Sequence, residues 1–321
     1  MRVMVLGGTG FVGRHAVSAL LARGHSVIIG TRCPARAARR LPAEALGCER
    51  REVHFESLTS CYVWKPLLAG VDVVVNAAGI LRERGSETYD RVHNMAPSAL
   101  ALACERLGLR LIHVSALGLR REARNPFLWS KLAAERAIAA TSADYSIVRP
   151  SLLDGEGGFA ADWLRKLARW PVHCIPMTAR GRIAVLDVRD LGEAIAVLSE
   201  ARGNPQWREV ELGGSTRRTI AGHLAALRAL DDDRPARRLP VPGLLARAAA
   251  ALCDLLHVSP FSLACLELMR RDNLPRDNLL TALLGRAPLP VGRDLPALRP
   301  AYPSRLTIAA RIRFAARELL Q

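Results

Sequence analysis

Val3-Met4-Val5-Leu6-Gly7-Gly8-Thr9-Gly10-Phe11-Val12-Gly13 is a short apolar run that breaks into glycines and resumes as a helix. Gly7 permits a tight turn, Gly10 lets backbone approach a pyrophosphate, and Gly13 lets the helix pack closely on the sheet. The helix is expected over about residues 11–23. Its free N–H groups and positive dipole end would face the phosphate. Gly24-His25 ends it, and residues 26–30 are apolar enough for a second strand. That context makes the stretch a dinucleotide-binding βαβ unit, with Gly7, Thr9, Gly10, Phe11, Val12 and Gly13 as the candidate turn contacts.

Working outward, residues 52–56 read as a third strand and 72–79 as a fourth. The fourth ends in Asn76-Ala77-Ala78-Gly79, small residues against which a cofactor can lie. A helix over about 87–107, a strand over 111–115, a helix over about 126–140 and a strand over 145–148 continue the alternation. This predicts an α/β fold, a Rossmann-type doubly wound parallel sheet. The dinucleotide-binding domain is placed at 1–155, with a strand at 183–186 and a helix at 187–200 returning to it. Residues 156–182 and 201–321 are assigned to a smaller, mostly helical substrate or partner domain. They begin with the loop Gly155-Glu156-Gly157-Gly158 and a helix carrying Phe159 and Trp163. At the end, residues 304–321 place Leu306, Ile308, Ile312, Ala316 and Leu319 on one face of a basic amphipathic helix.

The chain has 321 residues, half of them apolar, and a net charge of +16 carried almost wholly by arginine; Lys65, Lys131 and Lys166 are the only lysines. Such a balance suits docking to an acidic protein or an anionic membrane. No nucleic-acid-binding signature accompanies it, so nucleic acid is not expected. Seven scattered cysteines with no C-x-x-C pair argue against a disulfide frame or a metal site. The first strand begins at the first residues, which leaves no room for a signal peptide, and no apolar run is long enough to span a bilayer. A cytoplasmic protein is expected, with peripheral contact at an inner membrane face left open through the basic C-terminal region. After the second strand stand Arg32 and Arg36, where an acidic residue would otherwise bind the adenosine ribose. Arginine there favours NADP(H) over NAD(H).

The glycine turn, Asn76-Ala77-Ala78-Gly79, Ser115, Lys131 and Arg149-Pro150-Ser151 together resemble an extended or atypical short-chain dehydrogenase/reductase, of the NAD(P)-dependent epimerase/dehydratase type, over the first two hundred residues. Val75 to Leu81, His113 to Gly118 and Arg271-Asp272-Asn273-Leu274 look most like the branch of the nucleotide-binding accessory subunit of respiratory complex I. The resemblance implies that Ser115 positions a carbonyl and that Lys131 holds the nicotinamide ribose and lowers the pKa of a tyrosine four residues before it. Phe127 occupies that position. A phenyl ring packs but cannot move a proton, and general acid-base catalysis is worth about 10²–10⁴-fold.

Lys131 is a lysine in a chain that uses arginine at nearly every basic position, in keeping with a compact ammonium holding ribose hydroxyls. Among other proton donors, Tyr89 is the least implausible of Tyr62, Tyr89, Tyr145 and Tyr302, and His93 and Asp154 are further candidates. The resemblance also implies cofactor contacts at Ser57, Leu58, Asn94, Pro150, Ser151, Leu152 and Leu153, although the family's Asp-Leu pair is here Ser57-Leu58. Trp129, Phe159 and Trp163 could roof the cleft. The leading expectation is an NADP(H)-binding protein whose dinucleotide is structural or regulatory, near respiratory complex I or quinone metabolism. The alternative is an active oxidoreductase or nucleotide-sugar epimerase/dehydratase with a displaced proton donor.

Overall fold

The computed structural model describes residues 1–122, 125–232, 234–257 and 259–293; the amphipathic stretch at 304–321 lies outside them. Strand β1 (Arg2–Leu6) runs fully buried from Val3 into the glycine turn. Helix α1 (Phe11–Ala22) follows and turns Gly13, Ala16, Val17 and Leu20 inward. Next come β2 (Ser26–Thr31), the single turn α2 (Pro34–Ala37), β3 (Glu49–Glu52), the single turn α3 (Cys61–Trp64) and β4 (Val73–Asn76). A π-helical turn over Asp90–Met95 leads into α4 (Ala96–Leu107), and then β5 (Arg110–Val114), α5 (Pro126–Ala139) and β6 (Asp144–Pro150) complete the regular alternation.

The expected third strand at 52–56 sits earlier, at Glu49–Glu52, and Phe55–Ser57 is a 3-10 turn. Its charged Glu-Arg-Arg-Glu sequence suits the outermost strand, where polar side chains discourage further pairing. Short strand β7 (Leu153–Asp154) and helix α6 (Phe159–Ala168) open the smaller region, where β8 (Val172–Pro176) lies parallel to β13 (Arg237–Val241). The strand expected at 183–186 is instead two pieces: β9 (Arg182–Ile183) pairs with β12 (Arg218–Thr219), and β10 (Leu186–Asp187) with β7. The chain changes partners between them, so no single strand can persist.

Helix α7 (Val188–Glu200) returns to the main sheet as expected and packs on α1. β11 (Glu209–Leu212) also belongs to that sheet, parallel to β6, where the sequence predicts only the smaller region beyond residue 200. Only Val210 and Leu212 of it are buried apolar residues, a pattern too short to declare itself. The main sheet is parallel throughout, in the order β11-β6-β5-β4-β1-β2-β3.

Strand order reverses between β1 and β4, so the carboxyl ends of these two strands open the crevice where such sheets bind ligands. The smaller region has its own core of Leu164, Ile183, Val185, Ile220, Leu224 and Leu227. Helix α8 (Ile220–Arg228) packs into this core, α9 (Gly243–Leu256) and α10 (Leu263–Met269) pack on each other around a separate small cluster of Ala246, Ala250 and Leu266, and α11 (Leu280–Leu284) packs back on α7.

The tightest point is where α1 meets its own turn. A Cβ at Gly13 would stand 2.1 Å from the Gly7 carbonyl oxygen and 2.7 Å from Gly8 Cα, both backbone atoms. Gly13→Ala is therefore expected to lower stability by at least about 1–3 kcal/mol, the usual range for overpacking. Gly47→Ala, where no heavy atom lies within 4 Å, should stay within about 0.5 kcal/mol. Paired urea melts check both; equal midpoints for the two variants would contradict the packing.

Candidate functional site

Gly7 adopts φ +71° and accepts the Gly10 N–H at 2.8 Å, which closes the turn. A Cβ on Gly7 would stand 2.9 Å from backbone atoms of Ala78, so the turn and the end of β4 approach as closely as main chain allows. Gly10 caps α1 with no side chain, and the first turn of α1 carries no acidic residue. The helix thus presents unpaired N–H groups at the crevice, the feature that binds phosphate.

Around the turn, Thr9 Oγ1 lies 3.3 Å from Thr31 Oγ1, and Val12 packs on the core. The Phe11 ring sits beneath Gly158, where a Cβ would come within 2.6 Å of it. Arg14 donates to the Glu156 carbonyl, so the 155–158 loop is pinned across the start of α1.

The side of the crevice next to β2 is more polar. Arg32 Nη1 donates to both carboxylate oxygens of Glu87, a pairing that sequence reading missed because 55 residues separate the partners. Arg36 is exposed. Ser57 turns its hydroxyl to the His54 carbonyl at 2.8 Å. Leu58 is buried beside Trp64, whose Nε1 donates to the Leu58 carbonyl. Asn94 donates to Asp90 at 2.8 Å within the π-helical turn.

At the β4–β5 edge, Asn76 is fully buried. Its Oδ1 accepts the Ala78 N–H at 3.2 Å and its Nδ2 donates to His113 Nδ1 at 3.1 Å. His113 is thereby left with its proton on Nε2, which has no partner among the described residues. Burial drives its pKa down to about 3, aided by the nearby Lys131 charge, so it is a neutral group. The Ser115 and Ser151 hydroxyls, at the carboxyl ends of β5 and β6, are likewise buried without partners among the described residues. Pro150 is buried in β6, and Leu152 and Leu153 pack into the two neighbouring cores. Three unpaired polar atoms beside a glycine cradle are what a bound polar ligand would satisfy, so the residues present fit a dinucleotide.

Phe127 starts α5 and meets Tyr89 and His93 edge-on, with ring centroids 5.5 Å and 5.3 Å apart. Lys131 Nζ lies 5.9 Å from the Phe127 ring centre. Burial lowers the Lys131 pKa to about 8, opposed by the negative charge of Glu135. Arg149 holds Glu135 through both Nε and Nη2 and also reaches Glu209, which ties α5 to β6 and β11.

His93 accepts the Ile80 N–H on Nε2 at 3.0 Å, and burial pushes its pKa well below the usual imidazole value. Charging it would forfeit that bond, which counts against it as a proton donor. Tyr89 stacks on His93 and donates its hydroxyl to the Leu81 carbonyl at 2.9 Å. Asp154 is paired with Arg165. Of the three aromatics expected to roof the cleft, Trp129 and Phe159 are exposed, and Trp163 packs on the smaller core.

A cavity of about 670 Å³ opens beside the start of α5, lined by Gly118, Asn125, Pro126 and Leu128 on one wall and by Arg247, Leu266 and Arg271 on the other. Asn273 closes on Gly118, where a Cβ would fall 2.7 Å from its Oδ1. Neither the cavity nor its arginines could be read from the sequence, because its walls come from segments more than a hundred residues apart.

A family described as NAD(P)H-binding matches residues 7–162. The chain is 30% identical over 256 residues to a ceramide reductase of Caulobacter vibrioides, covering 78% of this chain and 77% of that one. It is 25% identical over 276 residues to the NADH dehydrogenase [ubiquinone] 1 alpha subcomplex subunit 9 of Arabidopsis thaliana, covering 84% and 68%. In fold it is similar to a nucleoside-diphosphate-sugar epimerase of Staphylococcus aureus, with a TM-score of 0.69 at 17% identity over 91% of this chain and 98% of that one. MoeE5 in complex with UDP-glucuronic acid and NAD gives a TM-score of 0.63 at 19% identity over 90% and 94%. With a phosphate-binding turn at a sheet switch point and a 30% identical relative matched over three quarters of its length, the chain belongs to the atypical short-chain dehydrogenase/reductases.

Proposed function

We propose that the protein is an NADP(H)-dependent reductase of a carbonyl on an amphipathic molecule, with Lys131 supplying the proton that a tyrosine gives elsewhere in the family. The observation that carries this reading is Lys131 itself: a half-buried ammonium 5.9 Å from the Phe127 ring centre, its pKa drawn down by burial to about 8, on the helix whose first turn, at Pro126 and Leu128, lines the 670 Å³ cavity. The similarity to a ceramide reductase supports it. The bound dinucleotide would supply the hydride that forms the new C–H bond. Ser115 would orient the carbonyl oxygen by donating its hydroxyl proton into a hydrogen bond. Lys131 would transfer an N–H proton to that oxygen and remain as the neutral amine. Such a donor works best with a pKa near the working pH.

A second reading keeps the dinucleotide and drops the turnover. The close aromatic packing of Phe127 against Tyr89 and His93 favours it, as does the similarity to a subunit of an NADH dehydrogenase assembly; in this chain the dinucleotide would then stabilise the fold. On either reading Arg32 and Arg36 would meet the 2′-phosphate of NADP(H), and Glu87 would compete with that phosphate for Arg32.

The two readings part on pH. With Lys131 as acid, carbonyl-dependent NADPH oxidation falls as pH rises through about 8, because the ammonium deprotonates there. Lys131→Met should abolish it. Phe127→Tyr should raise the rate by up to about 10²-fold and change the descending limb. Absence of turnover with amphipathic carbonyls, alongside tight NADPH binding, would give the second reading. Glu87→Gln should tighten NADPH about three- to tenfold by releasing Arg32 while leaving NADH nearly unchanged, as removal of a competing surface pair predicts. Calorimetric titration measures this, and an unchanged NADPH/NADH ratio would remove Arg32 from the 2′-phosphate site.

A further inference from the structure

Helix α9 presents an unusual outward face. Leu244, Leu245, Leu252, Leu255 and Leu256 are 84%, 63%, 54%, 77% and 56% exposed, while only Ala246 and Ala250 of the helix are buried. At 100° per residue these leucines fall, with Ala248 and Ala251, on one broad outward stripe that carries no charge. Solvated helices of this length normally place charge there. The feature does not stand alone. Strand β13 runs into α9 and exposes Leu239, and Met177, whose N–H bonds to the Val241 carbonyl, is exposed beside the junction.

Arginines flank this surface. Arg237 and Arg238 lie on β13, Arg247 on the border of the leucine stripe, and Arg270 and Arg271 at the end of α10, which packs on α9. All five are exposed, and none forms an ion pair among the described residues. In a chain of net charge +16, two copies meeting through this face would bring ten such guanidinium groups together without counter-charge. An anionic bilayer answers both properties at once. Its acyl boundary takes up leucines and its headgroups pair with arginines, each adding about 1 kcal/mol near the surface.

We propose that α9 is a monotopic docking helix which seats the protein on an anionic lipid bilayer, leucines in the acyl boundary and the arginine border among the headgroups. No helix among the described residues is long and apolar enough to cross a membrane, so the contact is one of lying on the surface. Arg247, with Leu263 and Leu266 of α10, also lines the 670 Å³ cavity, so docking would hold the cavity next to the lipid. The docking does not depend on whether the catalytic site turns over.

The test is co-sedimentation of the full chain with vesicles of equimolar phosphatidylglycerol and phosphatidylcholine, and with phosphatidylcholine alone, at low and high salt. The wild type should partition at least about tenfold better onto the anionic vesicles, with the excess lost in salt. Leu244→Ser/Leu252→Ser/Leu255→Ser changes only exposed positions, and it should lose about tenfold or more of this binding with an unaltered thermal midpoint. Arg238→Glu/Arg247→Glu should lose the preference for anionic lipid while keeping the fold. Equal binding by the wild type and the triple-serine variant would overturn the proposal, as would no wild-type binding. A dimer dissolved by the triple substitution, with no vesicle binding, would make the face a contact between copies. A lowered thermal midpoint without loss of vesicle binding would mean that residues 294–321 of the chain cover it.

Discussion

The contact between Gly13 and the Gly7 carbonyl sets the position of everything at the crevice. With no side chain at either residue, α1 begins close enough to the turn that its N–H groups face the space beyond β1, and the turn lies against the Ala78 backbone. A methyl group at Gly13 would push the helix off the sheet, and α7, which packs on α1, would move with it. Since α7 in turn carries α11, one steric constraint near the amino terminus reaches residues 280–284.

A second set of ties runs across the sheet and fixes α5. Arg110 is almost wholly buried, yet its guanidinium is paired with Asp144 and donates to the Leu198 carbonyl and the Ser146 hydroxyl, both at 2.9 Å. Burial on this scale is tolerable only when nearly every donor is occupied. Arg149 does the corresponding work one layer away, where the Glu135 carboxylate draws its pKa upward and holds it charged. Burial lowers the Lys131 pKa, and Glu135, one helical turn further on, opposes that lowering, so the ion pair that anchors α5 also holds the negative charge that favours the ammonium.

The parts of this arrangement legible in the sequence are those written in local patterns. The glycine turn, the small residues at 76–79 and the alternation of buried strands with amphipathic helices follow from periodicity and from the special geometry of glycine. Lys131 and Phe127 were singled out only by the resemblance to a known family, together with the rarity of lysine in this chain. Hidden in the sequence were interactions whose partners are remote: Arg32 with Glu87, Asn76 with His113, and the joining of β11 to β6. The strand at 183–186 was misread because two-residue strands are defined by their partners and not by any pattern of their own. The exposed leucines of α9 were invisible for a related reason. An alanine- and leucine-rich helix looks like core until the structure shows that its other face is already packed.

On the proposed reading, the chemistry of the site turns on what stands in for a tyrosine hydroxyl at Phe127. Phe127 packs edge-on against both Tyr89 and His93, which fixes the start of α5 against the π-helical turn. His93 and His113 cannot compensate: both are buried beside the Lys131 charge, and each is tied through a hydrogen bond that requires an unprotonated nitrogen. Their neutrality leaves Lys131 as the cation of this enclosure. With a pKa drawn down by burial to about 8, this ammonium is a more acidic group than an exposed lysine, which is what the proposed proton transfer asks of it.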